Sequence, residues 1–225
     1  MNMKKILIYI AISCITLLSL NSCGNNSAKR QREKDIKDSI ARVEFIKDSI
    51  AKVEFIKDSI ANEKIKTEII KNKKKLFKEK VDEFQDVTWV EPKKMPSYRN
   101  RNGIYTYFAM KDNKPSNFRF VFQYYNEDWL FIKSMIFNID GENITITPKM
   151  ERDCGDGMIW EWCDIPINYR VETNGVFIEK LANAKTVKIR LNGSQYYDTK
   201  VMTKEQIQTI KDTYEYYKAL GGAFY

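Results

Sequence analysis

The sequence contains no histidine, and this absence excludes several classes of site. Hydrolases that pair a serine or cysteine nucleophile with a histidine base are ruled out, as is every zinc site with a histidine ligand. The P-loop, GxGxxG, GxSxG and paired CxxC motifs are also missing. The sequence therefore predicts no cofactor and no metal site, and it favours a protein that is not an enzyme.

Cysteine is rare, and two of the four cysteines fall within the first 23 residues. Between the other two, Cys154 and Cys163, the segment GDGMIWEW predicts a hairpin that turns near Asp156 and sets Cys154 opposite Met158. Cys163 would then lie about 16 Å farther along the strand. Disulfide-bonded cysteines have Cα atoms within about 7 Å of each other. A Cys154–Cys163 disulfide is possible in an exported protein, but this register disfavours it.

The composition is that of a globular domain with a polar appendage, since 43% of the residues are apolar and 30% are charged. The formal net charge is +8. A basic balance favours attraction to anionic lipid head groups or to acidic polymers of a cell envelope. No nucleic-acid recognition motif is present, so we expect no nucleic-acid partner.

The N-terminus has the pattern of an export signal. The basic start MNMKK precedes an apolar run, ILIYIAISCITLLSL, of the length found in signal peptides. The run ends at Leu20-Asn21-Ser22-Cys23, which resembles the lipobox of bacterial lipoproteins. This resemblance implies that residues 1–22 are a signal peptide and that Cys23 is lipidated.

A lipid on Cys23 would attach the protein stably to a membrane without a transmembrane helix, because lipoprotein processing adds more than one acyl chain. Gly24 follows the cysteine, and by resemblance to the sorting rule of enteric diderm bacteria this favours the outer membrane, on either its periplasmic or its surface face. We expect residues 23–35 to form a short linker.

Three successive copies of a decapeptide follow: IKDSIARVEF, IKDSIAKVEF and IKDSIANEKI. The unit has no glycine or proline, and its acidic residues precede basic ones at helical spacing, as in Asp38/Arg42 and Asp48/Lys52. The pattern predicts a helix over residues 36–84, about 75 Å long. Decapeptides of this DSIA type resemble the segments that follow the lipidated cysteine in envelope lipoproteins, where the implied role is a stalk.

The apolar positions of the repeat recur every 3.33 residues on average. Because a heptad coiled coil needs 3.5 and a free helix has 3.6, a coiled coil would have to be overwound. Two alternatives stay open for the stalk. It is either a single solvated helix that acts as a spacer, or a strained coiled coil that makes the protein an oligomer.

Residues 85–225 predict a β-rich globular domain. Phe118, Phe120, Phe122 and Tyr124 alternate with other residues, which indicates a strand with one strongly apolar face. Strands are also predicted at VTWV, GIYTYFAMK, WLFIKSMIFNI and MIWEWCDI, with two-residue hairpin loops at Asp140-Gly141 and Asn192-Gly193.

Two helices are predicted in the same domain, one around VFIEKLANAK and one at the C-terminus. The second begins with Thr203 as N-cap and Gln206 at the capping-box position, and it ends at Gly221-Gly222. The fold class is thus α+β: a long N-terminal helix, then an antiparallel sandwich or curved sheet with a C-terminal helix. The stretch from DWLFIKS to IWEW resembles an uncharacterised C-terminal domain of envelope lipoproteins, which implies no known activity.

The candidate ligand-binding residues surround two tryptophans in the segment 153–164. They are Asp153, Asp156, Trp160, Glu161, Trp162 and Asp164. Carboxylates beside aromatic rings are typical of sugar-cleaving and sugar-binding sites. However, Glu161 alternates with the tryptophans and must point to the opposite face of its strand, so we favour core tryptophans beside an exposed acid. Convergence of Asp153, Asp156 and Asp164 on a calcium ion is conceivable, although no EF-hand spacing supports it.

Several tyrosines form a second candidate surface for protein or glycan recognition: Tyr105, Tyr107, Tyr124, Tyr125, Tyr196 and Tyr197. The simpler interpretation is that they complete the core and its rim.

Together these patterns predict a lipid-anchored envelope protein in which a helical stalk carries a small domain that binds an envelope protein or polymer. The alternatives are a structural coiled-coil spacer and a carboxylate-dependent envelope hydrolase, which would need Glu161 and an aspartate in one cleft.

Overall fold

The computed structural model describes residues 26–167 and 172–224. The predicted signal peptide and Cys23 lie outside the described residues. The chain divides into two compact units, Met1–Ile60 and Ala61–Tyr225. The predicted fold class is confirmed, because a long helix, antiparallel sheets and a C-terminal helix follow one another along the chain.

The repeats form one helix, α1 (Asn26–Lys74). Side chains four residues apart are linked within it, as where Gln31 Nε2 donates to Asp35 Oδ1 at 3.0 Å. The apolar residues of the repeats are all exposed, by between 41% and 54% in the series Ile36, Ile40, Val43, Ile46, Ile50, Val53, Ile56 and Ile60. Among the described residues, no helix is both long and apolar enough to cross a membrane.

The helix ends at Lys74, so the prediction that it continues to Phe84 is wrong. Residues 77–82 instead form a strand paired with the next one, in the register Phe77↔Pro92 to Asp82↔Val87. Phe77 is buried, and its ring centroid lies 5.1 Å from that of Tyr216. Burial of this ring and the strand hydrogen bonds outweigh the helical spacing of the charges.

Ten strands and two shorter helices follow α1 among the described residues. The strands are β1 (Phe77–Asp82), β2 (Val87–Pro92), β3 (Gly103–Lys111), β4 (Lys114–Asn126), β5 (Ser134–Ile139), β6 (Glu142–Ile146), β7 (Glu151–Gly155), β8 (Met158–Pro166), β9 (Val187–Asn192) and β10 (Tyr197–Val201). A six-stranded sheet has the order β1-β2-β3-β4-β8-β7, and a four-stranded sheet has the order β10-β9-β5-β6. Every pair is antiparallel.

The two sheets pack face to face. On the inner face of the six-stranded sheet, the ring of Phe120 lies 6.0 Å from that of Phe137 in the four-stranded sheet. Both rings contact Phe177 of α2 (Glu172–Ala182), at 5.2 and 4.8 Å. The predicted apolar face of β4 is therefore the centre of the core.

The last helix, α3 (Lys204–Ala219), covers the rest of the inner face. Its capping box is formed as predicted, because Thr203 accepts from Gln206 N while the Gln206 side chain accepts from Thr203 N. Near the end of α1, Lys73 lies 2.7 Å from Asp212 and 2.6 Å from Glu215 of α3.

Two further details differ from the sequence predictions. The strand predicted over residues 129–139 begins only at Ser134, because the backbone before it binds a buried side chain described below. The loop after Asn192 has four residues rather than two, since Asn192 pairs with Tyr197. The Asp140-Gly141 hairpin is as predicted, with Ile139 opposite Glu142.

Candidate functional site

The two predicted tryptophans, Trp160 and Trp162, lie on β8 and point away from the core. Both are half-buried, whereas their neighbours Ile159 and Cys163 face inward and are buried. The expectation that the tryptophans belong to the core is therefore wrong. They sit on the outer face of the six-stranded sheet, where they line a surface rather than fill an interior.

Glu161 points inward, as the alternation predicts, but it is not the exposed acid that we expected. It is completely buried and accepts four hydrogen bonds. The backbone amides of Leu130 and Phe131 donate to its Oε1 at 3.0 and 2.7 Å, and the Ile132 amide donates to Oε2 at 2.8 Å. Arg152 Nε completes the set at 2.9 Å from Oε2. A buried carboxylate needs such a full set of donors, and this one holds a loop in place.

The loop held by Glu161 is the first half of the predicted long strand. Three successive amides can reach one carboxylate only if the backbone leaves the extended conformation, and Phe131 accordingly has a positive φ of 54°. The ring of Phe131 stacks on that of Trp129 with centroids 5.4 Å apart. This loop stands beside β8, so the carboxylate is a structural element of the fold.

The burial of Glu161 bears on the hydrolase alternative. That alternative needs Glu161 and an aspartate in one cleft, but Glu161 and Asp164 lie on opposite faces of the sheet. The other predicted acids are no closer to such a pair. Asp153 and Asp156 are exposed, and Asp156 lies at the tip of the β7–β8 hairpin with a φ of 53°. Among the described residues, no group of three or more acidic or cysteine side chains is placed to hold a metal ion.

Asp164, the last of the predicted acids, is the centre of a polar cluster on the outer face. Its carboxylate accepts from Arg119 Nε and from the Tyr107 hydroxyl, each at 2.7 Å, and from Arg99 Nη2 at 3.3 Å. We call these four residues the Asp164 cluster. Burial and the hydrogen bond to Asp164 raise the pKa of Tyr107, so that the phenol remains a proton donor.

The Asp164 cluster joins strands that are distant in sequence, since Tyr107 lies on β3, Arg119 on β4 and Asp164 on β8. Arg99 comes from the segment 93–102, which also lies against this face. The side chain of Asn102 in that segment exchanges two hydrogen bonds with the Tyr125 backbone, at 3.1 and 3.2 Å.

Five aromatic residues remain partly exposed on the same side of the sheet. We call them the aromatic face: Trp89, Tyr107, Tyr125, Trp160 and Trp162. Tyr105 accompanies them but is only 5% exposed. Burial raises the pKa of Tyr105 to about 12. The six tyrosines named from the sequence therefore do not form one surface. Tyr124 is buried on the inner face, and Tyr196 and Tyr197 are exposed elsewhere.

A depression opens beside the aromatic face, at the β1–β2 hairpin. It has a volume of about 400 Å³, and it is lined by residues 80–84 of the hairpin together with Trp89, Glu91 and Tyr107. The rings of Trp89 and Tyr107 meet at 5.3 Å. Phe84 at the hairpin tip is fully exposed, and the amides of Phe84 and Gln85 donate to Asp82, which fixes the turn. A depression of this size is at the lower end of the range for small-ligand sites.

The two cysteines of the domain are free, with Cys154 exposed and Cys163 buried. The β7–β8 register differs by one residue from the prediction, because Cys154 faces Ile159 rather than Met158. Burial raises the pKa of the Cys163 thiol to about 12, which leaves it a poor nucleophile.

Sequence reasoning missed Trp89, Phe84, Arg119 and Arg99 as members of the site. The sequence shows the tryptophan of VTWV and the alternation in FRFVFQYY. Neither pattern indicates which face of its strand is covered by other elements. No protein-family model, curated protein or solved structure matches the chain.

Proposed function

We propose that this chain is a lipid-anchored envelope protein whose β-rich domain binds a partner through the aromatic face. The anchor rests on the lipobox-like segment ending at Cys23. The binding role rests on one observation, the partly exposed tryptophans and tyrosines on the outer face of the six-stranded sheet. Tryptophan and tyrosine are enriched at binding surfaces because they bury a large area and keep a polar group at the edge.

The site suits binding better than catalysis. The carboxylate of Asp164 is engaged by two arginines and a tyrosine hydroxyl, and that of Glu161 is enclosed in the core. Neither is placed as a general acid beside an open cleft. An aromatic surface with fixed polar groups between the rings provides shape and hydrogen bonds for recognition.

The test is photo-crosslinking in cells, with a photoreactive phenylalanine introduced at one position of the full chain. Placed at Phe84, beside the aromatic face, it should capture a discrete partner. Placed at Lys188, on the outer face of the four-stranded sheet, it should not. Equal capture from both positions, or capture from position 188 alone, would rule out the aromatic face as the binding surface.

The anchor is tested separately with Cys23→Ser. This variant should lose the acyl label, accumulate uncleaved and leave the membrane fraction. Unchanged gel mobility and membrane association would contradict lipidation at Cys23.

Self-association through α1 is a second candidate function, favoured by the exposed apolar residues of the repeats. Ile70 packs against the core and Lys73 pairs with α3, so a peptide of residues 29–69 isolates the repeats from the domain. Sedimentation equilibrium should then show a concentration-dependent dimer. A monomer at every concentration would leave α1 as a single-helix spacer.

A further inference from the structure

We propose that the ligand of the aromatic face is a neutral glycan chain, with one sugar ring bound in the depression beside the β1–β2 hairpin. This inference rests on the proposed function and names the class of its partner. A pyranose ring has an apolar face of C–H groups and a rim of hydroxyls. The face stacks on an aromatic ring, because C–H hydrogens carry partial positive charge and the ring face is negative.

The depression supplies both kinds of contact. Trp89 and Tyr107 form its aromatic wall, and the exposed ring of Phe84 stands at its rim. Glu91 also lines the depression, with its side chain 14% exposed and 3.2 Å from Lys78, and Lys80 is directly opposite Trp89 on the neighbouring strand. A carboxylate that accepts and an ammonium that donates can bind hydroxyls on the edge of a stacked sugar.

The charge of the site favours an uncharged ligand. The charged residues that line the depression or belong to the Asp164 cluster were counted together with Lys78, which pairs with Glu91. They comprise four cations (Lys78, Lys80, Arg99 and Arg119) and four anions (Asp82, Glu83, Glu91 and Asp164). Their formal charges sum to zero, so neither an acidic polymer nor a basic peptide gains a net attraction. The outer face of the four-stranded sheet differs, because its register brings Lys188 and Arg190 outward without an acid between them.

A chain longer than one sugar can contact more than one of the aromatic residues, although Tyr105, Val121 and Gln123 between them are at most 5% exposed. Trp89 on β2 and Trp162 on β8 are three strand spacings apart, about 14 Å, and are further offset along the strands. The Asp164 cluster and Gln123 lie between them. A hexasaccharide is therefore a suitable probe.

Binding is measured by isothermal titration calorimetry, with the full chain in micelles of a detergent that has no sugar head group. The probes are cellohexaose, maltohexaose and chitohexaose, with a hexagalacturonate and a hexa-arginine peptide as charged comparisons. At least one neutral hexasaccharide should bind saturably at millimolar concentration or below, and more tightly than either charged probe. Phe84→Ala should weaken it about 3- to 10-fold, as expected for loss of one aromatic contact.

The matched control is Phe45→Ala, which removes another exposed ring, from α1, and should leave affinity unchanged. Because Phe84 is fully exposed, its removal does not threaten the fold. Trp89→Ala should cause a larger loss than Phe84→Ala. The glycan assignment would be overturned if none of the three neutral probes binds or if a charged probe binds more tightly. It would also be overturned if neither Phe84→Ala nor Trp89→Ala changes the affinity.

The two levels of the proposal fail in different ways. If crosslinking from position 84 captures a protein while the neutral sugars do not bind, the aromatic face remains a binding surface and the glycan inference is wrong. If position 84 captures nothing and no probe binds, the proposed function itself is wrong.

Discussion

The inner and outer faces of the six-stranded sheet are both rich in aromatic residues, yet they use them differently. On the inner face Phe108, Phe118 and Phe120 are at most 1% exposed, and they pack edge to face against rings from other elements. On the outer face Trp89 and Trp162 stay partly exposed. The inner aromatics stabilise the fold by burial, whereas the outer ones provide a surface on which a partner can stack.

The acids of β8 follow the same division. Glu161 on the inner side is enclosed by three amides and Arg152, and Asp164 on the outer side is bound by side chains that also meet solvent. A carboxylate is thus a structural group on one face and, on our proposal, part of a binding surface on the other. The comparison predicts which substitutions alter stability and which alter binding alone.

The largest difference is expected for large aromatic residues. Phe120→Ala should lower the free energy of unfolding by about 3–5 kcal/mol, because it leaves a cavity at the centre of the core. Trp162→Ala removes a larger ring from the outer face and should lower it by less than about 2 kcal/mol. Urea denaturation of both variants measures this. Equal losses would mean that the outer face is as much a core as the inner face.

The two acids should differ in the same direction. Glu161→Gln keeps the shape but replaces one acceptor by a donor facing the Ile132 amide and Arg152, and it should lower the free energy of unfolding by about 3 kcal/mol. Asp164→Asn should lower it by about 1 kcal/mol, because solvent reaches that cluster. A larger loss for Asp164→Asn, again in urea denaturation, would contradict the assignment of Glu161 as the structural acid.

The sequence was sufficient for elements specified locally. The Asp140-Gly141 turn, the Thr203 capping box and the alternation in β4 each depend on neighbours within a few residues, and each is found as predicted. The strand β1 was mistaken for helix because its charges have helical spacing, and only pairing with β2 makes it a strand. Local pattern cannot report a partner strand that pairs across a turn.

The candidate site was predicted only in part, for a similar reason. Alternation correctly placed Glu161 opposite the tryptophans, but its burial depends on amides 29 to 31 residues away, at Ile132, Phe131 and Leu130. Likewise, Asp164 meets Tyr107 and Arg119 only because β8 pairs with β4, which pairs with β3. Which face of a two-sided aromatic strand is covered depends on the packing of other elements, and sequence alternation does not contain that information.

The pH dependence of stability at alkaline pH should show how completely Tyr105 on the outer face is shielded from solvent. Burial raises the pKa of Tyr105 to about 12, against about 10 in an unfolded chain. The folded state therefore keeps this proton at a pH where the unfolded state has lost it. The contribution of Tyr105 to stability is complete below about pH 10 and is lost as the pH rises toward 12.

Tyr105→Phe should accordingly weaken the fall in stability between about pH 10 and 12, measured by urea denaturation at several pH values. Tyr98→Phe is the control, since Tyr98 is exposed in the segment 93–102. If the stability of both variants falls as steeply with pH as that of the parent chain, solvent reaches Tyr105 more than its 5% exposure indicates.

The smallest effect on stability, and the sharpest contrast with the inner face, is expected at Phe84. This ring touches solvent on all sides, so Phe84→Ala should change the free energy of unfolding by no more than about 0.5 kcal/mol. On our proposal, an exposed phenylalanine that contributes nothing to the fold, at the rim of a depression walled by Trp89 and Tyr107, serves to contact another molecule. Thermal and urea denaturation of the variant test the first half of this statement. A loss near that of Phe120→Ala would show that the hairpin tip packs against the domain, and Phe84 would then belong with the inner aromatics.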